Sequence, residues 1–363
     1  MTGQLFSPID LRGVRFENRI VVSPMCQYSA TDGTACDWHV VNLGHLALSG
    51  PGLVFFEATH VSPEGRITPN CLGLYSDENE AGMARVVRFL REWTRSKVGV
   101  QLAHAGRKGS TLPPWEGGGP VGGARAWTPV APSAIPYDAN ANVPAALDAA
   151  GLQKVTDDFV SAVRRCSRLG VDAIELHFAH GYLAHEFLSP LSNRRSDEYG
   201  GSLANRMRLP LELFESARLA WPATQPLGVR ISATDYVEGG WNPAEAAIFA
   251  RELRRRGCDF IDCSSGGLSP AQRIDAHPGY QVGFARDIRR EAQIPTIAIG
   301  MITDPAAAER IVADGDADFV ALARGFLRHP RWAWDAADAV GGEPFVPKQY
   351  QRARRAPRQV LPS

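Results

Sequence analysis

Three histidines and a tyrosine fall within eleven residues, HFAHGYLAHEF at His177–Phe187, directly after the largely apolar run VDAIEL at Val171–Leu176. Imidazoles spaced like His177 and His180 could hold a metal if a third His, Asp or Glu joined them from a neighbouring strand end. His104, Glu57 and Asp262 are available, but none falls in a recognisable ligand motif. Without a metal, the two rings make a donor pair for a carbonyl oxygen that gains negative charge. Tyr182, two residues on, is then a natural proton donor. Histidines satisfied by backbone in a strand-to-helix turn are the plainer alternative.

Other residues could serve the same chemistry. Arg230 sits inside the apolar stretch GVRIS, and a buried guanidinium is costly unless an anion meets it. Facing outward, it would pair with a helix carboxylate. Gln101, inside VGVQLAH, carries an amide that donates and accepts at once. A heterocycle with carbonyls and ring nitrogens, such as a flavin, would satisfy both. Gly300, ending TIAIG, and Arg324-Gly325, within FVALARGF, could cradle that ligand's phosphate with backbone amides and a planar cation; tight turns are the alternative. Cys26 and Tyr28, in SPMCQY, follow another apolar run, where a thiol could touch a cofactor or simply pack.

These residues need strands to carry them. Eight apolar runs recur along the chain: Arg19–Ser23, Leu53–Thr59, Val98–His104, Ala173–His177, Leu227–Ser232, Phe260–Ser264, Thr296–Gly300 and Phe319–Ala323. Amphipathic stretches at Asn79–Arg95, Leu152–Leu169, Arg206–Trp221, Pro243–Arg256 and Pro305–Ala313 lie between them. The alternation predicts a parallel sheet covered by helices, and eight units fit an α/β fold of the (β/α)8 TIM-barrel type. An open dinucleotide-binding sheet would want a glycine-rich turn after its first strand, where this chain reads SPMCQY. The candidate residues then gather toward the carboxyl ends, where barrels place chemistry. One connection is long: the Gly- and Pro-rich stretch from 109 to about 150, read as a lid or substrate wall. Residues 1–340 form a single barrel domain in this reading, and 341–363 a tail.

Across 363 residues, Lys plus Arg and Asp plus Glu balance at 39 each, so no global field recruits nucleic acid or a membrane surface. No signal-like amino terminus and no long apolar run is seen, which makes the cytoplasm the expected location. The six cysteines follow no paired metal or disulfide spacing.

Three segments identify a resemblance: SPMCQYSATDG at 23–33, VGVQLAHAGRK at 98–108 and HFAHGYLAHEFLSPLSNRRSDEYGGSLANR at 177–206. They resemble the old yellow enzyme family of FMN-dependent ene-reductases, and the likeness continues through GYQV at 279–282 to FVALARGFLRHP. The cysteine of PMCQY and the KQYQR near the end resemble the short-chain, thermophilic-like branch. The resemblance implies a non-covalent FMN that NAD(P)H reduces, with hydride passing to the β-carbon of an activated alkene and a proton to the α-carbon. It implies that Ser23, Pro24, Met25 and Cys26 line the flavin and that Thr59, Gln101 and Arg230 meet its pyrimidine edge. Ser264 and Gln281 would belong to the cofactor surround, and Gly300, Met301, Ala323 and Arg324 to the phosphate end. His177 and His180 would bind the substrate carbonyl, Tyr28 would approach the substrate, and Tyr182 would be the acid.

Ala323 departs from the family's glycine, so its methyl could crowd a phosphate oxygen. Met301 stands where a related branch carries a tryptophan. The branch further implies a homodimer, or a dimer of dimers, in which Tyr350 and Arg352 reach the partner's active site while Arg354, Arg355 and Arg358 are solvated. Amine oxidation or demethylation on the same barrel, a metal-dependent hydrolase or lyase using His177 and His180, and a barrel that only binds its ligand are the competing readings.

Overall fold

The computed structural model describes residues 3–353. Eight strands close into one parallel barrel: β1 (Ile20–Val22), β2 (Leu53–His60), β3 (Lys97–Ala103), β4 (Ala173–Phe178), β5 (Leu227–Ser232), β6 (Phe260–Ser264), β7 (Thr296–Ala298) and β8 (Phe319–Leu322), with β8 pairing back to β1. All eight expected runs are strands. Four end one or two residues early, β1 before Ser23, β3 before His104, β7 before Gly300 and β8 before Ala323, which leaves these residues in the loops that follow the strands.

The surrounding helices are α1 (Asp37–Ala47), α2 (Asp77–Trp93), α3 (Ala149–Leu169), α4 (Leu183–Leu188), α5 (Leu203–Ala220), α6 (Pro243–Arg255), α7 (Val282–Ala292), α8 (Pro305–Ala313), α9 (Arg324–Arg328) and α10 (Trp332–Val340). Their starts are written locally. Ser76, Asp148, Asn242 and Asp304 each accept a first-turn amide, and Pro243 and Pro305 occupy positions where a missing N–H costs nothing. Arg324 opens only the short α9, and α10 follows it, so the helix it begins is not the last.

A feature absent from the sequence reading closes the barrel floor. Ile9–Leu11 and Val14–Phe16 form an antiparallel hairpin whose Leu11, Val14 and Phe16 pack on Val21, Phe55, Phe260 and Phe319. Phe16 meets Phe319 edge to face, centroids 5.5 Å apart. The amino-terminal mouth is thus sealed by apolar side chains, and the carboxyl mouth is left to the polar candidates.

The long connection after β3 carries little regular structure. It holds two short 3-10 turns, Pro114–Glu116 and Gly123–Arg125, and a two-residue ladder between Val130–Ala131 and Ala145–Ala146. Side chains from elsewhere pin it down. Arg195 donates to the carbonyls of Pro132 and Leu147, and Arg107 reaches those of Ile135 and Pro136.

Candidate active site

β4 delivers His177, and the turn behind it delivers His180. His180 at φ +60° and Gly181 at φ +72° are successive left-handed residues, the first a costly one for a side-chain-bearing residue. The reversal brings the Tyr182 ring back onto His177, centroids 5.0 Å apart, and the His180 ring lies 5.0 Å from His177 on another side. His180 Nδ1 is 3.3 Å from His177 Nε2, while His180 Nε2 meets Ser264 Oγ at 2.6 Å. His177 Nδ1 is buried without a partner.

Burial, and after it the Arg230 cation, holds both imidazoles well below their ordinary range. Each ring is therefore neutral at pH 7, with one N–H to donate. Burial pushes the Tyr182 phenol well above its usual value, so it keeps its proton. Among the described residues no group of three or more His, Cys, Asp or Glu is arranged to hold a metal ion.

The turn is this tight because glycine faces glycine. A Cβ on Gly181 would lie 2.3 Å from the Gly267 carbonyl oxygen, and one on Gly267 (φ +91°) would lie 2.6 Å from the His180 Cα. Lys108 ties the two backbones together, its Nζ donating to the carbonyls of His180 at 2.9 Å and Gly267 at 3.0 Å. The same ammonium lies 5.3 Å from the centre of the Tyr182 ring. Burial pushes Lys108 down to about 8.

Inside the barrel, Gln101 Nε2 donates to Glu175 Oε1 at 2.7 Å, and Arg230 Nε stands 3.3 Å from Asp262 Oδ2. Arg230 points inward, and the anion that meets it is a strand carboxylate, not one from a helix. Glu175 Oε2 and Asp262 Oδ1 have no partner of their own. Burial pushes Glu175 up to about 8, helped by the Asp262 charge and opposed by Arg230.

The loop after β1 is set by a β-bulge. Register slips between Phe56 and Ala58, which frees Glu57 from the ladder. Glu57 Oε2 accepts the Gln27 amide at 2.9 Å, and its Oε1 faces His39 Nε2 at 3.3 Å. Cys26, Tyr28 and Tyr182 consequently pack on one buried cluster of Ile67, Cys71 and Ala105. Burial pushes the Cys26 thiol well above its usual range, so it is a thiol and not a thiolate. Tyr28 meets Trp115 of the long connection edge to face at 5.7 Å. Ser23 is buried at the strand end, Pro24 and Met25 are half-buried, and Thr59 spends its hydroxyl proton on the Glu57 carbonyl at 2.8 Å.

At the far side, Gly300 (φ +114°) and the exposed Met301 (φ +55°) follow β7. Gln281 packs against Gly300 and donates to Ser265 Oγ at 2.5 Å and Ser264 Oγ at 3.4 Å. Ala323 has φ −104°, outside the left-handed region that favours glycine, and Arg324 beside it is exposed. Tyr350 and Arg352 do not join this chain's own histidines. Tyr350 meets Trp334 edge to face with Arg331 over its ring, and its neighbours Lys348 and Gln349 border a groove with Gly50, Pro51 and Lys97 at the amino ends of the strands. Arg354, Arg355 and Arg358 lie outside the described residues.

Residues 4–340 match the model of the NADH:flavin oxidoreductase / NADH oxidase family. The chain belongs to that family. It is 43% identical to the NADPH dehydrogenase of Geobacillus thermodenitrificans over 98% of this chain and 100% of that protein. Morphinone reductase superposes with a TM-score of 0.78 at 27% identity, over 95% of this chain and 91% of the other. The old yellow enzyme homologue from Zymomonas mobilis shares the fold, with a TM-score of 0.77 at 24% identity over 94% of each chain. The old yellow enzyme resemblance is thereby borne out, and with it an NAD(P)H-dependent flavin oxidoreductase that uses FMN.

The residues of this family member fit that cofactor. Arg230 Nε is a buried donor without a hydrogen-bond partner, and the Gln101 amide is buried on the strand beyond β4, two groups that the edge of a polar heterocycle would meet. Sequence reasoning gives no cofactor role to three residues on this surface, Lys108, Glu175 and Asp262, the last of which it offers only as a metal ligand. A charge inside the apolar run AIELH is the same signal that singled out Arg230.

Proposed function

We propose that this flavin oxidoreductase reduces the carbon–carbon double bond of α,β-unsaturated carbonyl compounds and related activated alkenes. The cluster of His177, His180 and Tyr182 carries the reading: two neutral imidazoles and a protonated phenol, ring centres 5.0 Å from His177, at the carboxyl mouth of the barrel. FMN, which Gln101 and Arg230 would meet at its polar edge, would supply the hydride relay between the nicotinamide and the alkene β-carbon. Charge then develops on the carbonyl oxygen, and imidazole N–H donors stabilise it where it appears. His180 takes part by exchanging Ser264 Oγ for the substrate oxygen. Tyr182 holds the proton that the α-carbon takes up. Cys26, kept protonated, borders the same wall as Tyr28 and tunes the site without acting as a nucleophile.

The tail supports a dimer in this reading. Tyr350 is partly exposed and far from its own histidines, and the exposed Trp38 and Val41 of α1 offer apolar surface to a second copy. Tyr350 and Arg352 then complete the rim of the partner's site. No described helix is long and apolar enough to cross a membrane, which accords with a cytoplasmic location.

A yellow purified protein that bleaches with NADPH and regains colour on adding an enone is the expected result. Bleaching by an amine with no response to the enone would favour amine oxidation instead. Para-substituted phenols mimic the enolate oxygen and should give a long-wavelength charge-transfer band with the oxidised protein. His177→Ala or His180→Ala should weaken that band, since an oxyanion donor is worth on the order of 3 kcal/mol.

A further inference from the structure

The third histidine of HFAHGYLAHEF has no part in the reading above, yet its side chain is wholly buried beneath the turn that carries the other groups. His185 Nδ1 accepts the Gly181 amide at 2.9 Å, and Gly181 is the residue between His180 and Tyr182. On the other side of the ring, His185 Nε2 faces Asp235 Oδ1 at 2.9 Å, and neither atom has another partner. Asp235, also wholly buried, takes its remaining bonds on the second oxygen: Ser189 Oγ donates to Oδ2 at 2.6 Å and the Trp241 amide at 2.8 Å.

We infer that His185 and Asp235 are a positioning pair, in which Asp235 fixes the proton of His185 on Nε2 so that Nδ1 can hold the Gly181 amide and the turn that presents His180 and Tyr182. The inference rests on the proposed role of those two residues. The turn needs holding because His180 and Gly181 are both left-handed, a conformation that a side-chain-bearing residue adopts only when its surroundings enforce it. Three side chains bond the backbone of His180 and Gly181: Ser232 Oγ accepts the His180 amide at 2.9 Å, Lys108 donates to the His180 carbonyl, and His185 accepts at Gly181. Only the last depends on a tautomer. Were the proton on Nδ1, ring N–H would face backbone N–H, two donors in a dry core with nothing between them. The ionised state that this task requires of Asp235 is supported: against a burial that raises it, the His185, Ser189 and Trp241 donors hold it below the usual carboxylate range.

Asp235→Asn isolates the tautomer. Both Ser189 and Trp241 bind Oδ2, so an asparagine oxygen placed there keeps both bonds. Its NH2 group then faces His185 Nε2 and forces the ring proton onto Nδ1. In the oxidised holoenzyme, the imidazole nitrogen resonances of His185 should show Nε2 protonated, and Asp235→Asn should reverse this. Phenol affinity and kcat for enone reduction should fall together in that variant, by up to about a hundredfold, as a misplaced group allows. His185→Asn places an amide oxygen near the Nδ1 position and needs no aspartate, so His185→Asn/Asp235→Asn should be less impaired than Asp235→Asn alone. A wild-type His185 protonated on Nδ1, or a double variant as impaired as Asp235→Asn, overturns the inference. If His177→Ala and His180→Ala leave phenol binding intact while the His185 tautomer is as stated, the oxyanion reading fails and the positioning of the turn stands.

Discussion

Arg230 shows how a single buried cation is balanced. Its guanidinium has Asp262 at 3.3 Å, with Glu175 close enough that the two carboxyls feel one another and Glu175 is pushed up to about 8. At neutral pH one carboxylate offsets the arginine while the other carboxyl keeps its proton, since a dry core does not tolerate two anions against one cation. A cation at a flavin's pyrimidine edge stabilises the reduced anion. Arg230→Ala should therefore lower flavin retention and move the flavin potential to a more negative value. Asp262→Asn, which unmasks the cation, should move the potential the other way. Redox titration of both variants checks this, and a fully flavinylated Arg230→Ala protein with unchanged potential would place Arg230 elsewhere. At this scale the sequence makes the buried donors visible as polar residues in apolar strands, but not their partners. Nothing in GVRIS announces that Asp262, on the next strand, will stand beside Arg230.

Secondary elements differ in how visibly they were written. Strands and capped helices were legible because period and capping residues are local signals. The amino-terminal hairpin was not, since three-residue strands such as Val14–Phe16 are too short for periodicity to register. Yet it carries weight: Phe16 is 1% exposed and fills the barrel floor against Phe319. Phe16→Ala should cost about 3–5 kcal/mol of stability, the usual range for emptying such a site. Because the floor lies at the opposite mouth from His177, enone turnover of the folded variant should be nearly unchanged. Denaturant unfolding and steady-state kinetics separate the two effects, and a large kcat loss in stable protein would contradict the separation. The bulge at Glu57 was equally silent, because a register slip is a property of two strands together.

The whole molecule holds several histidines neutral against their tendency to ionise. Burial pushes His60 down to about 3 and His104 to about 4, and it holds His177 and His180 well below the imidazole range. In the unfolded chain the same groups titrate near about 6.5. Below that value the unfolded state binds more protons than the folded one, so stability falls as pH falls. Tm should drop progressively from about pH 6.5 downward; a Tm that rose on acidification would refute the neutral assignments. Assembly is the other property at this scale. In the proposed dimer, truncation after Pro347 should lower activity and subunit association together, whereas truncation after Ala353 should cost little. Mixing an Arg352→Ala chain with a His177→Ala/His180→Ala chain should restore activity if the arginine acts across the interface, because one of the two sites then carries neither lesion. Confirmed heterodimers without activity would exclude a contribution in trans.

The sequence by itself determined the eight-unit barrel, the mouth at which chemistry is placed and the residue types gathered there. Strand burial, helix capping and the HFAHGY turn are all encoded within a few neighbours of each residue. Tertiary structure alone decided the partnerships: Asp262 against Arg230, Lys108 across two carbonyls, Gly267 against Gly181, and Asp235 behind His185. Each joins residues from different barrel units, from 32 positions apart for Arg230 and Asp262 to 159 for Lys108 and Gly267. Closing the barrel is what brings such units side by side. Local spacing carries no record of that closure, so the geometry that tunes each group could be read only from the folded chain.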